Sequence, residues 1–241
     1  CTSGGTNTAV GSNSGNALTS GNGNTILGAN AGDAITTGDN NTALGAHALT
    51  TAQTVGSITA VGYNSGNNLT TAPSCAFFGA YSGDAVTTGG YHVAVGAGAL
   101  GACTTSTGNT AVGFNASTSM TTGANNVAIG NGAGDAQTTG DGNVFIGADA
   151  GGAQTTASNN VLIGRNAGDA ITTGHTSVVI GQNAGSAMTT SSENVLIGNN
   201  VAALLTTGAQ NIIIGDNAAA GAVVTGAGNT IVGDNCSYDL T

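Results

Sequence analysis

Asn126 to Gly142 reads N-V-A-I-G-N-G-A-G-D-A-Q-T-T-G-D-G, and Asn143 begins the same phrase again after 17 residues. Counting from Gly130 as position 0, equivalent glycines stand at Gly11, Gly28, Gly45, Gly62, Gly79, Gly96, Gly113, Gly147, Gly164, Gly181, Gly198, Gly215 and Gly233. All intervals are 17 residues except the last, which is 18. Fourteen registers fill the 241-residue chain and leave no room for a different domain. A short fixed period of this kind is the signature of a solenoid. The expectation is one β-solenoid domain spanning residues 1–241.

The period is too short and too rich in glycine for helix pairs, because interior glycine costs a helix about 1 kcal/mol relative to alanine. The residue before each repeat glycine is apolar in every register, and Asn stands four before it in ten. Position +3 is small, position +7 is mostly Leu, Ile, Val or Met, and a Thr-Thr pair at +8 and +9 recurs in ten registers. These features predict stacked parallel β-coils: a strand (N-T-A-V), a turn at Gly, a small-residue corner, a second strand (A-L-T-T) and a second turn. Like residues would form ladders about 4.8 Å apart, giving a rod about 65 Å long. Stacked Asn amides are expected to bond to one another and to turn backbone.

The first strand grows more apolar along the chain, from T-A-V and T-I-L to V-F-I, V-L-I, V-V-I and I-I-I. Alternate strand residues face opposite sides. If positions −1 and −3 fill the coil, then Phe145, Leu162, Val179, Leu196, Ile213 and Ile231 at −2 point outward. Such a stripe predicts lateral association, because exposed apolar patches mark interfaces and strands apolar on both faces are normally buried on both.

The chain has no Lys, one Arg (Arg165) and a net charge of −10. That balance excludes nucleic-acid binding and disfavours anionic membrane surfaces. No apolar run is long enough to span a bilayer. Four Cys in a Lys-poor, Thr-rich chain suit an oxidising extracellular setting. Cys1 as first residue is consistent with a lipid anchor there.

The N-T-A-[VIL]-G-x-N-A-G…T-T-G-x-N pattern resembles the 17-residue repeats of phage tail fibres and bacterial surface fibres. Its N-[TV]-A-[VI]-G-x-x-[AS] portion is similar to the head repeats of YadA-like trimeric autotransporter adhesins, which are trimers of left-handed β-rolls. The resemblance implies an elongated, surface-exposed shaft or adhesive head on a cell or virion, with further copies of the chain and surface glycans as partners. Ile163-Gly-Arg-Asn-Ala-Gly168 also resembles one hexapeptide of left-handed β-helix acyltransferases. With one hexapeptide per coil instead of three, that likeness supports left-handedness and not catalysis.

No enzyme is expected, and no metal or cofactor. Gly96 to Gly101 matches G-x-G-x-x-G without a strand–helix context, among 43 glycines. His47, His92 and His175 fall in different registers, and His92 replaces a ladder Asn. Asp33, Asp84, Asp135 and Asp169 share position +5, and Asp39 and Asp141 share +11, as solvated turn carboxylates and not as a Ca²⁺ site. Adjacent Thr at +8 and +9 would face opposite sides, which argues against an ice-binding row.

These observations predict a structural subunit of an extracellular fibre, the alternatives being an adhesive head or an ice-binding solenoid. Uncapped terminal coils predict head-to-tail polymerisation. Thr241 ends at the +8 phase and Cys1 begins at the +7 phase, so Cys1 and Cys236 are candidates for an inter-subunit disulfide.

Overall fold

β-Branched residues at positions −3 and −1 favour an extended backbone, and the glycine at 0 ends it. The computed structural model, which describes residues 5–221 and 224–236, accordingly gives every coil one three-residue strand. The chain forms two compact units, Cys1–Thr122 and Gly123–Thr241. The first holds β1 (Thr8–Val10), β2 (Thr25–Leu27), β3 (Thr42–Leu44), β4 (Thr59–Val61), β5 (Ala76–Phe78), β6 (Val93–Val95) and β7 (Thr110–Val112). The second holds β8 (Val127–Ile129), β9 (Val144–Ile146), β10 (Val161–Ile163), β11 (Val178–Ile180), β12 (Val195–Ile197), β13 (Ile212–Ile214) and β14 (Thr230–Val232). Within each unit every strand pairs in parallel with the next, and equivalent repeat positions stand opposite one another, as Val144↔Val161 and Ile146↔Ile163. The protein is an all-β parallel solenoid, with no helix among the described residues.

The expected second strand is absent. The A-L-T-T segment is turn and bend. Four positions per coil hold positive φ, at 0, +2, +4 and +12: Gly130 at 142°, Gly132 at 61°, Gly134 at 57° and Gly142 at 67°. The turn that closes at +7 and the bend at the Thr-Thr pair directly after it, as at Thr36-Thr37, leave no straight run for a second strand. Two tight turns follow the glycine, Ala31 N–H to Gly28 O at 3.3 Å and Ile35 N–H to Gly32 O at 3.1 Å. Coils still bond to one another outside the strands, as Thr36 N–H to Gln53 O at 2.9 Å and Asn30 N–H to Ser12 O at 2.8 Å.

The interior is lined by positions −4, −2, +3, +4, +7 and +10. Facing positions −2 and +4 exchange volume. Where −2 is Phe, as at Phe77 and Phe145, the flanking +4 residues are glycines, and a Cβ at Gly134 would stand 2.5 Å from the Phe145 ring. Where −2 is Ala43 or Ala94, position +4 is a buried leucine, Leu49 or Leu100. These leucines hold φ of 51° and 52°, a region that costs an L-residue roughly 1–2 kcal/mol. Burying a leucine contributes about 1.5–3 kcal/mol, so the core position offsets the strain.

The buried Asn at −4 lies inside the coil. In the first unit Asn24 N–H donates to Asn7 Oδ1 at 2.9 Å, and Asn24 Nδ2 donates to Gly38 O at 2.8 Å. In the second, Asn160 N–H donates to Asn143 Oδ1 at 2.9 Å, and Asn160 Nδ2 donates to Gly174 O at 2.8 Å. Each amide thus bonds the next coil and closes its own, as the sequence predicted, and no buried amide of these pairs is left unmade.

Candidate association face and exposed aromatic tip

The buried Asn fixes which way the strand faces. Position −2 shares the parity of −4, so it points inward. Phe145, Leu162, Val179, Leu196 and Ile213 are 0 % exposed within their own coils, and Ile231 is half-buried. The expectation that these six form an outward stripe is therefore inverted. The residues that face outward are those at −3 and −1. Across β8–β13 they are Val127 and Ile129, Val144 and Ile146, Val161 and Ile163, Val178 and Ile180, Val195 and Ile197, and Ile212 and Ile214. They are half-buried by one another, rising to 39 % exposed at Ile129 and 43 % at Ile212. At −3 the first unit carries Thr8, Thr25, Thr42, Thr59 and Thr110, and Ala76 and Val93 in the remaining two strands. Val and Thr have nearly the same shape and both favour strands, so strand formation does not select between them. The hydroxyl does: five of the fourteen outward positions of β1–β7 are Thr, whereas those of the second unit are aliphatic throughout β8–β13.

The Thr pairs also face differently from the expectation. Because +7 and +10 both point inward, +8 and +9 both point out. The +8 hydroxyls donate to the carbonyl of the +8 residue one coil on, as Thr70 Oγ1 to Thr87 O at 2.9 Å and Thr138 Oγ1 to Thr155 O at 2.9 Å. The +9 threonines, such as Thr88 in the first unit and Thr173 in the second, are exposed.

Aromatic side chains gather at the first turn of the first unit. The His47 and Tyr63 rings meet edge-on with centroids 6.0 Å apart, and Tyr63 and Tyr81 do so at 5.4 Å. Tyr63 is 47 % exposed and Tyr81 46 %. His47 and Tyr81 occupy position +2, where Asn13, Asn30, Asn64 and Asn115 stand in neighbouring coils. These tyrosines lie at two different positions of the repeat, so no periodic pattern marks them in the sequence.

Inside the first unit, Cys75, His92 and Asn109 continue the −4 column. His92 Nδ1 accepts from Asn109 N–H at 3.3 Å, and His92 Nε2 reaches Ser106 O at 2.9 Å. The Ser106 hydroxyl accepts from Asn109 Nδ2 at 2.9 Å and lies 2.8 Å from Cys103 Sγ. Burial pushes the His92 imidazole below its ordinary pKa and the Cys75 and Cys103 thiols above theirs. These are poor conditions for a nucleophilic thiol, which needs a thiolate-favouring environment. Cys75, Cys103 and Cys236 are free thiols, and Cys236 Sγ donates to Gly233 O at 2.9 Å. Cys1 lies outside the described residues.

The acidic side chains serve turns. Asp39 and Asp141 accept from the backbone N–H of Asn22 and Ala124, each at 2.7 Å. Burial raises the carboxyls of Asp84, Asp135 and Asp169, and the nearby Asp149 charge adds to the last two. Among the described residues no three His, Cys, Asp or Glu side chains are placed to hold a metal ion, and no helix is long and apolar enough to cross a membrane. Comparison with protein families, with characterised proteins and with solved structures finds no match to this chain.

Proposed function

We propose that the chain is a non-enzymatic structural subunit of an extracellular or surface fibre, whose copies associate side by side through the outer face of β8–β13. One observation carries this reading: two outward columns, Val or Ile at −3 and Ile at −1, run through six consecutive strands. A sheet apolar on both faces is normally covered on both. The net charge of −10 with a single Arg supports a partner other than nucleic acid, and a second copy offers the matching aliphatic face.

The test replaces Val144, Val161 and Val178 together by Thr, the residue that the first unit carries at the same position. Light scattering and negative-stain microscopy of the wild type should show multimers or filaments. The triple variant should keep its circular dichroism and lose the assembly. A wild type that stays monomeric at all concentrations would reject the proposal. A second reading, an adhesive head, is favoured by the exposed rings of His47, Tyr63 and Tyr81.

A further inference from the structure

We infer that the aromatic tip of the first unit binds a neutral glycan chain; the inference rests on the adhesive reading and is independent of side-by-side assembly. Three observations converge on the tip.

The first is conformational. Position +2 is left-handed in every coil of the unit, with φ of 55° at Asn30, 55° at Asn64 and 54° at Asn115. Asn tolerates that region, and Gly98 at φ 70° does so freely. His47 at 60° and Tyr81 at 59° hold bulky side chains there. Unlike Leu49 and Leu100, Tyr81 is exposed, so no core packing offsets its strain. Exposed left-handed residues also occur at +12, as Tyr91 at 62°; the bulky residues at +2 differ in joining one aromatic row across successive coils.

The second is the presentation of the rings. His47, Tyr63 and Tyr81 interlock edge-on across successive coils, which orders them while leaving ring surface open. Phe114, 56 % exposed, stands two coils beyond Tyr81. Between them Gly98 makes room for the Asn115 side chain: a Cβ at Gly98 would collide with Asn115 Oδ1. An amide is thereby held beside the aromatic row. From His47 to Phe114 is four coil steps, about 19 Å at 4.8 Å per coil, longer than a single sugar ring.

The third is charge. No Asp, Glu, Lys or Arg occurs at +1 or +2 in any coil of the first unit, whereas the same two positions of the second unit carry Asp149, Arg165, Asp216 and Asp234. An anionic ligand would find no cation at the tip and a chain of net charge −10 around it. The carboxylate of Tyr81's own coil, Asp84 at +5, is half-buried and accepts from sugar hydroxyls as an amide oxygen does. Aromatic faces suit the C–H face of a sugar ring, and amide N–H and C=O groups suit its hydroxyls.

The experiment titrates the purified chain with neutral cello-, malto- and N-acetylated chitohexaose, and with an anionic galacturonic hexamer. Calorimetry is one readout. Tyrosine fluorescence is the other, since the chain has four Tyr and no Trp. At least one neutral hexaose should bind, and its disaccharide should bind at least tenfold more weakly. Tyr81→Asn should weaken binding at least tenfold and melt no lower than wild type, because it restores the residue of the neighbouring coils. Tyr63→Ser, which copies Ser12 at position +1, should also weaken binding and needs no change at a left-handed position. The V144T/V161T/V178T chain should bind as wild type, so that loss of assembly and loss of binding read out separately. Absence of binding by all three neutral hexaoses at millimolar concentration would overturn the inference. So would binding of the anionic hexamer alone, or unaltered binding by both tyrosine variants.

Discussion

The backbone N–H of Asn109 donates to Nδ1 of His92 at 3.3 Å, the bond that other coils make to an Asn Oδ1. His92 Nε2 then donates to Ser106 O at 2.9 Å, as Asn Nδ2 does to the same position elsewhere. The imidazole substitutes for an amide, one acceptor and one donor, but only as the neutral Nε2–H tautomer.

Protonation would turn Nδ1 into a donor facing the Asn109 N–H. Burial depresses the His92 pKa below its ordinary value of 6.5. Below that value the unfolded chain binds the proton more readily than the folded chain, so stability is full above 6.5 and falls as the pH drops toward the folded pKa. His92→Asn should restore the ladder and remove this component. Melting temperatures from pH 8 to pH 4.5 test it through the difference between the two chains. Asp84, Asp135 and Asp169 have raised pKa values and act in the opposite sense, adding stability as pH falls toward 3.8, and they cancel in that difference. A wild-type-minus-variant difference that does not change with pH would show that His92 is not the neutral ladder member.

Phe145 and Ile146 are neighbours of opposite fate. Phe145 is fully buried between Gly134 and Gly151, while Ile146 lies on the outer face. Phe145→Ala should cost about 3–5 kcal/mol through lost burial and a cavity. Ile146→Thr should cost under about 0.5–1 kcal/mol in the dispersed chain. Denaturant melts of both variants decide the matter, and equal losses would contradict the inward direction of position −2.

The period, the strand before each glycine and the bonding amides were legible in the sequence because each repeats at a fixed phase. The facing of the strand was not, because V-F-I and V-L-I are apolar at three successive positions and alternation carries no signal there. Two cues pointed the right way. Thr at −3 in β1–β4 is a polar residue suited to the outside, and the volume trade of Ala43 with Leu49 and of Ala94 with Leu100 pairs −2 with +4. Taking −1 and −3 as the residues that fill the coil hid both. The missing second strand has a similar cause: A-L-T-T has strand composition, but left-handed residues such as Leu49, Ala202 and Ala219 at +4 are not recognisable as turn formers. The aromatic tip escaped because its residues break the repeat and so fall outside any periodic pattern.

The glycine at position 0 gives the last prediction. Gly130 and Gly164 hold φ of 142° and 129°. A Cβ on either would stand 2.5 Å from the carbonyl oxygen of the next coil's glycine, Gly147 or Gly181. Such backbone is almost closed to side chains and costs roughly 1–3 kcal/mol when forced, and the collision with backbone cannot be relieved by rotating a side chain. Gly130→Val or Gly164→Val should therefore lose at least about 2 kcal/mol, a fall of some 4–8 °C in Tm for a chain this long. Gly152 supplies the contrast. It lies outside the positive-φ set, and a Cβ there would come no closer than 3.4 Å to any neighbour. Gly152→Ala should be neutral or stabilising by up to about 1 kcal/mol, through a less mobile unfolded chain. Melting curves of the three variants measured together test the distinction. Equal melting of Gly130→Val and Gly152→Ala would mean that the stacking of carbonyls over position 0 does not set the closest approach of the coils.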